Sequence, residues 1–173
     1  NQVTRDRNRF RYRLRWKVAK EISKDLDIGF RFISGSNTDP GSPNQTLSVD
    51  FTFKNIFIDQ AYVRYRPSFL LDRVEHLKKV ELGAGKFDNP FLATSTGMVW
   101  DPDVMPEGAY QTLEFNFLGD RARPFVTLGE FLLQENATAS DAELYGVQTG
   151  LRWTPPGFSK EAREILSKKK NLR

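Results

Sequence analysis

The sequence predicts an all-β protein built from antiparallel hairpins, and three observations support this. First, from Arg5 to Lys17 every odd position is basic, whereas the even positions from Phe10 to Val18 are aromatic or aliphatic. A period of two is that of a β-strand, whose successive side chains point to opposite faces. Second, several later segments alternate in the same way. Third, short polar turns and long polar loops separate these segments.

Seven segments have the alternation or the composition of strands. They run from about Arg5 to Lys20, Leu26 to Phe32, Lys54 to Pro67, Val80 to Lys86, Ala109 to Leu118, Pro124 to Gln134 and Glu143 to Thr154. Between Leu70 and Lys79 the composition indicates a brief helical or irregular turn. The first strand is longer than is typical of globular sheets and reaches the roughly 9–11 residues that cross a bilayer.

The lengths of the connections separate two kinds of β protein. Short turns at Ser23–Asp25 and Gly119–Arg123 alternate with long loops at Ser34–Thr46 and Phe87–Glu107. Barrels of the outer membrane have short turns at one end and longer loops at the other, whereas soluble sandwiches mix loop lengths with less regularity. The pattern therefore favours an antiparallel transmembrane β-barrel of up-and-down hairpins.

Composition is compatible with that fold. The 173 residues are 39% hydrophobic and 13% aromatic, with a mean hydropathy of −0.54, and no apolar run approaches the roughly 20 residues of a membrane-spanning helix. Closed single-chain bacterial barrels have even strand numbers, so residues 1–157, with about seven strands, are expected to be part of a larger barrel. Residues 158–173 are predicted to form a short basic C-terminal helix or loop segment, with Ser159 as its cap.

Signals for an enzyme or a cofactor are weak. The single histidine, His76, lies in a charged stretch, and no second histidine is present to form a metal pair. Asp101 and Asp103 flank a proline and could bind Ca²⁺, although acids in such a context more often form turns. The sequence contains no cysteine, phosphate loop, nucleophile elbow or dinucleotide fingerprint. The sequence thus predicts a protein that is not an enzyme and that has no cofactor or metal.

Candidate functional residues follow from the two faces of the strands. In a barrel, the odd positions of the first two strands face the lumen and the even positions face lipid. The candidate pore-lining residues are Arg5, Arg7, Arg9, Arg11, Arg13, Arg15, Lys17, Asp27 and Arg31. Cations so close together repel each other, and candidate partners are Asp25, Asp27, Asp59, Glu81 and Glu114. Paired, the arginine ladder braces the wall, and unpaired it favours anions; both interpretations stay open.

Two further groups of residues have a candidate role in a barrel. The loop Phe87–Glu107 is predicted to constrict the lumen with the charges of Lys86, Asp88, Asp101, Asp103 and Glu107, and the alternative is a surface loop shaped by its own proline and aspartate turns. The aromatic residues Tyr12, Trp16, Tyr145 and Trp153 are candidates for the girdle at the membrane interface. They would serve equally well as core aromatics of a soluble protein.

Several runs of the sequence resemble the bacterial putative-porin family. The alternating arginines resemble the opening strand of that family, and further similar runs follow in the family's order: Gly29–Gly35, Asp59–Tyr65, Gly85–Phe91, and Trp100–Asp103 with Glu107–Gly108. The resemblance implies an outer-membrane channel for passive diffusion of small hydrophilic solutes. It also implies location in the bacterial outer membrane, with lipid and small solutes as partners. The arginine ladder adds anions to the expected partners, and the incomplete strand number adds a homo-oligomer or larger membrane complex.

The rival interpretation is a soluble, nucleic-acid-binding β domain. Basic residues with interleaved aromatics can bind a single strand by phosphate contacts and stacking. Here, however, the arginines and the aromatics lie on opposite faces of the strand, whereas a stacking surface needs both on one face. The sequence therefore predicts no nucleic-acid partner. A carbohydrate-binding sandwich is a third possibility, but no exposed aromatic row is evident.

Overall fold

The computed structural model describes residues 8–36, 39, 41–47, 53–91, 100–118, 121–138 and 140–155. These residues form nine strands and one short helix. The elements are β1 (Arg11–Arg13), β2 (Arg15–Ser23), β3 (Leu26–Ser34), β4 (Asn44–Thr46), β5 (Ile56–Tyr65), α1 (Ser68–Arg73), β6 (Leu77–Lys86), β7 (Glu107–Phe115), β8 (Ala122–Gln134) and β9 (Ala142–Trp153). No helix within these ranges is long and apolar enough to cross a membrane. The predicted basic segment 158–173 lies outside them.

Seven of the strands form one antiparallel sheet in the order β2-β3-β5-β6-β7-β8-β9. The prediction of seven strands in up-and-down hairpins is therefore confirmed. Because neighbouring strands alternate in direction, the two outermost strands, β2 and β9, run the same way. Within the described residues no pairing joins β2 to β9, so closure into a barrel stays a prediction.

The first strand differs from its prediction, which ran unbroken from Arg5 to Lys20. Its described part is divided at Leu14 into β1 and β2, and β1 pairs with β4 inside the predicted loop Ser34–Thr46. Ser34 explains the division. Its hydroxyl accepts a hydrogen bond from the Leu14 N–H at 2.9 Å, and its own N–H donates to the Leu14 carbonyl at 3.1 Å. Both backbone groups of Leu14 are thereby satisfied where the chain leaves the large sheet.

The turn predicted between Leu70 and Lys79 is partly wrong. The helix α1 begins directly after Pro67, whose φ of −61° is compatible with a helix start, and it ends at Arg73. Strand β6 then begins at Leu77, which makes it ten residues long rather than the seven predicted from Val80 to Lys86. The other strand boundaries differ from the prediction by one to three residues, which is the usual uncertainty of such boundaries.

The connections divide the sheet into two ends. The turn end holds the two-residue turn Lys24–Asp25, the segment 66–76 with α1, and residues 116–121, whereas the loop end holds the long connections 35–55 and 87–106 and the loop 135–141. The predicted alternation of short and long connections is confirmed for the β2–β3 and β7–β8 turns. The segment with α1 is longer than a tight turn.

The sheet has two unlike faces. The covered face is the side that bears Lys17, Arg31, Tyr62, Tyr110 and Phe131, and residues 87–91 and 100–106 of the connection between β6 and β7 fold onto it. The opposite side, which we call the open face, is exposed and predominantly apolar, although it also bears the charged residues Lys20 and Glu130. Its exposed side chains include Trp16, Val18, Phe30, Ile58, Val63, Leu82, Leu128, Tyr145, Val147, Leu151 and Trp153. The charged residues Asp27, Asp59 and Glu114 are instead buried, which reverses the arrangement of a water-soluble protein.

Candidate functional site

At the loop end, the cations of the covered face are paired with carboxylates. Arg15 forms an ion pair with Asp103, and Arg31 forms one with Asp59. The Lys17 ammonium lies 3.7 Å from Asp88, and the Arg31 guanidinium lies 3.6 Å from the same carboxylate. Two of these carboxylates, Asp88 and Asp103, belong to the segment 87–106. The ladder residues Arg15 and Lys17 thus connect that segment to β2.

The segment 87–106 also packs against the covered face through a small aromatic core. Phe87 is 3% exposed, and its ring centroid lies 4.8 Å from that of Tyr110 and 6.2 Å from that of Phe131. Phe91 and Trp100 pack against Phe131 in turn. The described ends of the segment therefore lie on the sheet. Residues 87–91 and 100–106 thus lie over the covered face, whereas the expected folding into a lumen stays a prediction.

Gln60 connects this core to the charged groups. It is completely buried, and its Nε2 donates hydrogen bonds to Asp88 Oδ1 at 2.5 Å and to the sulfur of Met105 at 3.3 Å. Its Oε1 has no hydrogen-bond partner among the described residues. Because a buried amide is costly to leave unpaired, Gln60 favours the position of the segment that brings Asp88 to it.

A second network of charges lies on the covered face at the turn end. Asp27 accepts hydrogen bonds from Arg64 at 3.1 Å and from Arg66 at 2.5 Å. Glu81 lies 2.7 Å from Arg66 and 3.2 Å from Lys79. It also accepts a hydrogen bond from the Tyr110 hydroxyl at 3.1 Å. This network joins three neighbouring strands, β3, β5 and β6, with β7 attached through Tyr110.

A third group at the turn end joins β7, β8 and β9. The two oxygens of Glu114 lie 3.0 Å from Arg123 and 2.9 Å from Arg152. The Arg152 guanidinium lies over the ring of Phe125, 5.1 Å from its centroid. Glu114 is 6% exposed, so the carboxylate is enclosed by the two arginines and the sheet.

The two ends of the covered face differ in their balance of charge. Among the described ion pairs at the loop end, four cations (Arg15, Lys17, Arg31, Lys86) meet four carboxylates (Asp59, Asp88, Asp103, Glu107). At the turn end, five cations (Arg64, Arg66, Lys79, Arg123, Arg152) share three carboxylates (Asp27, Glu81, Glu114). The excess of positive charge in these pairs lies at the turn end.

Only part of the predicted arginine ladder lies on the covered face. Arg15 and Lys17 do, but Arg11 and Arg13 lie in β1, outside the seven-stranded sheet, and Arg9 precedes them. All three are exposed, and the Nε of Arg13 donates to Asn44 Oδ1 at 3.1 Å. The prediction of one continuous guanidinium column is therefore wrong for these residues, because the chain leaves the sheet at Leu14. Arg5 and Arg7 lie outside the described residues.

The predicted partners of the ladder bind other cations. Asp27, Asp59, Glu81 and Glu114 are all ion-paired, as expected for acids facing a cationic strand, but not with Arg15 or Lys17. Asp25 accepts a hydrogen bond from the Ser68 hydroxyl at 3.2 Å. The actual partners, Asp88 and Asp103, come from the loop. Four of the arginines in these ion pairs were not identified from the sequence, namely Arg64, Arg66, Arg123 and Arg152. The two-residue spacing of Arg64 and Arg66 was the signal that could have identified this pair as residues of one face.

The remaining charged residues of the predicted constriction lie at its two ends. Lys86 and Glu107 form a pair at 2.6 Å where β6 ends and β7 begins. Asp101 Oδ1 accepts a hydrogen bond from the backbone N–H of Asp103 at 2.8 Å. Asp101 thus has the turn-forming contact that was the expected alternative to Ca²⁺ binding.

The four predicted girdle aromatics divide into two kinds. Trp16, Tyr145 and Trp153 lie on the open face and are 61%, 67% and 64% exposed. Trp16 and Tyr145 are near the loop end and Trp153 is at the turn end, so aromatics occur towards both ends of the apolar face. Tyr12 lies in β1, away from that face, and is half-buried.

Comparison with known proteins gives one match. A family model described as "Putative porin" matches residues 1–161. The curated proteins and the solved structures contain no match to the chain.

Proposed function

The chain belongs to the putative porin family, and from this premise we propose that it forms wall strands of an outer-membrane β-barrel channel for passive diffusion of small hydrophilic solutes. One observation carries the proposal, namely that the exposed open face is predominantly apolar whereas the covered face holds the networks of paired charges. In water, such an apolar surface would favour association. Against lipid it is the expected outer surface of a barrel, and the charged face then borders a water-filled lumen.

The proposed lumen side has the groups that an aqueous channel needs. Its ion pairs are hydrated at their exposed parts, since the side chains of Lys17, Arg66 and Arg123 are 40%, 37% and 40% exposed. The same charges on the lipid side would each destabilise the inserted state by about 2–4 kcal/mol for a lysine or arginine at the bilayer centre. The orientation with the open face towards lipid is therefore strongly favoured.

The segment 87–106 acts in this proposal as the constriction of the lumen. Its ends lie on the charged face rather than beyond the rim of the sheet, where they reduce the cross-section available to solutes. Arg15 and Lys17 hold Asp103 and Asp88 of this segment. Of the two roles open for the arginine ladder, bracing is the one that these pairs support, because Arg15 and Lys17 both have carboxylates close by.

The direction of the edge strands supports a larger barrel. Since β2 and β9 run the same way, an antiparallel closure requires an odd number of additional strands between them. These strands would come from further chain or from a neighbouring chain. This requirement agrees with the even strand number of closed single-chain barrels in bacteria.

Reconstitution tests the proposal. The chain should need detergent to remain monodisperse, and once the additional strands that close its barrel are present, in a longer chain or in an oligomer, it should produce discrete ohmic conductance steps in a planar lipid bilayer. A matched control is the same preparation heated until its β-sheet signal in circular dichroism is lost, which should give no steps. A chain that is monomeric without detergent, and that binds single-stranded DNA with a salt-dependent constant, would instead support the nucleic-acid interpretation and refute the channel.

A further inference from the structure

Arg123 and Arg152 lie directly opposite each other on neighbouring strands. They are Cα partners in the β8–β9 register and both project onto the covered face. Like charges in directly opposed positions destabilise a sheet unless something compensates them. Glu114 provides one negative charge for the two guanidinium groups, at 3.0 and 2.9 Å. The described part of the site therefore retains one uncompensated positive charge.

The hydrogen-bonding capacity of this pair is also incompletely used. A guanidinium has five N–H donors, and the Nε groups of Arg123 and Arg152 are buried without a hydrogen-bond partner among the described residues. The Arg152 Nε lies near Glu114 but does not meet the geometry of a hydrogen bond. The side chains are nevertheless 40% and 32% exposed, so part of each guanidinium is accessible from the covered face.

Among the described residues, the nearby charged groups do not supply a second anion. Lys79 is the register partner of Glu114 on β6, but its ammonium lies 3.2 Å from Glu81. Glu81 in turn binds Arg66 at 2.7 Å. The surroundings of the arginine pair are thus themselves short of carboxylates in the described residues, and this favours the entry of an anion from solution.

We propose that Arg123 and Arg152 form a binding site for a small oxyanion, such as phosphate, sulfate or a carboxylate, on the covered face at the turn end. Paired arginines suit this ligand class because their planar forks match the geometry of oxyanions and their charge is permanent. The site deepens the proposed channel function and rests on it for its biological role. It assigns the anion preference to this pair rather than to the N-terminal arginine ladder, whose members Arg15 and Lys17 face loop carboxylates.

Phosphate binding to the folded full chain in detergent tests this site. Isothermal titration with inorganic phosphate should give millimolar or tighter binding to the native chain. Because hydrogen bonds to charged groups are involved, Arg152→Gln and Arg123→Gln should each weaken that binding by about tenfold. Arg73→Gln removes the same charge from α1, also at the turn end, and should leave phosphate binding unchanged.

Glu114→Gln should change the affinity for phosphate in the opposite direction. The carboxylate competes with the ligand for the same donors, so its neutralisation should strengthen phosphate binding by about tenfold. Loss of fold would weaken binding instead, which makes this variant informative even if it is less stable. Circular dichroism of each variant confirms that the sheet is retained.

The outcomes for the site and for the channel can be separated. Equilibrium binding of phosphate does not require conductance, so a chain that binds phosphate but gives no current would contradict the channel and leave the site supported. A conducting chain in which phosphate binds equally to the native protein and to the Arg123→Gln/Arg152→Gln variant would overturn the site. Absence of phosphate binding to the native chain would overturn it as well.

Discussion

Replacement of Phe87 by alanine should release the segment 87–106 from the covered face. Two kinds of contact hold this segment, and their magnitudes differ. Phe87 is 3% exposed within a cluster with Tyr62, Tyr110 and Phe131, and truncation of such a buried phenylalanine costs about 3–5 kcal/mol. The Asp88 side chain is 57% exposed, so each of its pairs with Lys17 and Arg31 contributes only about 0–1 kcal/mol. Aromatic packing should therefore dominate the attachment.

This difference predicts unequal effects for two neighbouring substitutions. Phe87→Ala should lower the thermal unfolding midpoint in detergent and give a larger, noisier single-channel conductance. Asp88→Asn should lower the midpoint much less and retain the native noise level, since the carboxamide keeps an oxygen for the Gln60 amide. Phe69→Ala is the matched control, because Phe69 on α1 is 47% exposed.

The assays are unfolding followed by circular dichroism and current recording in planar bilayers. If Asp88→Asn releases the segment as fully as Phe87→Ala, aromatic packing does not dominate its attachment. If Phe87→Ala matches the native chain in both unfolding midpoint and single-channel current, the segment does not depend on the aromatic core.

Two further substitutions test the faces of the sheet and its packing. The change Val147→Lys, at a residue that is 72% exposed on the open face, should cost about 2–4 kcal/mol of insertion energy and lower the folded fraction in lipid vesicles. A lysine in place of Gln148, on the covered face, should lower the folded fraction much less, and an equal loss at the two positions would contradict the assignment of faces. Gly83→Ala places a Cβ 2.0 Å from the Tyr110 ring and should cost about 1–3 kcal/mol of folding stability. In Gly41→Ala the Cβ would meet carboxylate oxygens of Asp101 at 3.3 Å and of Asp39 at 3.6 Å, so this variant should keep an unfolding midpoint near the native value. Similar midpoints for the two variants would contradict the packing of Tyr110 against Gly83.

The two-residue period was sufficient to predict the strands and the residues that share a face. Trp16 and Val18 are exposed on one face and Lys17 lies on the other, as the alternation predicted. Tyr145 and Val147 on β9 follow the same rule. This worked because the direction of a side chain in a strand depends on local backbone geometry alone.

Breaks in a strand were harder to predict, because they depend on distant residues. Leu14 continues the alternation of its neighbours, yet its backbone bonds to Ser34, twenty residues further along the chain, and β1 pairs with β4 instead of extending β2. This break affects the candidate functional residues, because it places Arg11 and Arg13 outside the seven-stranded sheet. A local period carries no information about such a contact.

The pairing of charges depended entirely on the tertiary structure. The alternation of residue types placed Arg15 and Lys17 on a charged face, but Asp103, the partner of Arg15, lies 88 residues away and reaches it only because the segment 87–106 folds onto the sheet. Arg123 and Arg152 likewise come to share Glu114 through the registers of β7, β8 and β9. Local chemistry was therefore enough to specify two unlike faces on each strand. Strand register and loop placement, which act over long sequence distances, decided which charges meet. At the loop end the ladder residues are neutralised by carboxylates of the loop, whereas at the turn end an arginine pair shares a single carboxylate.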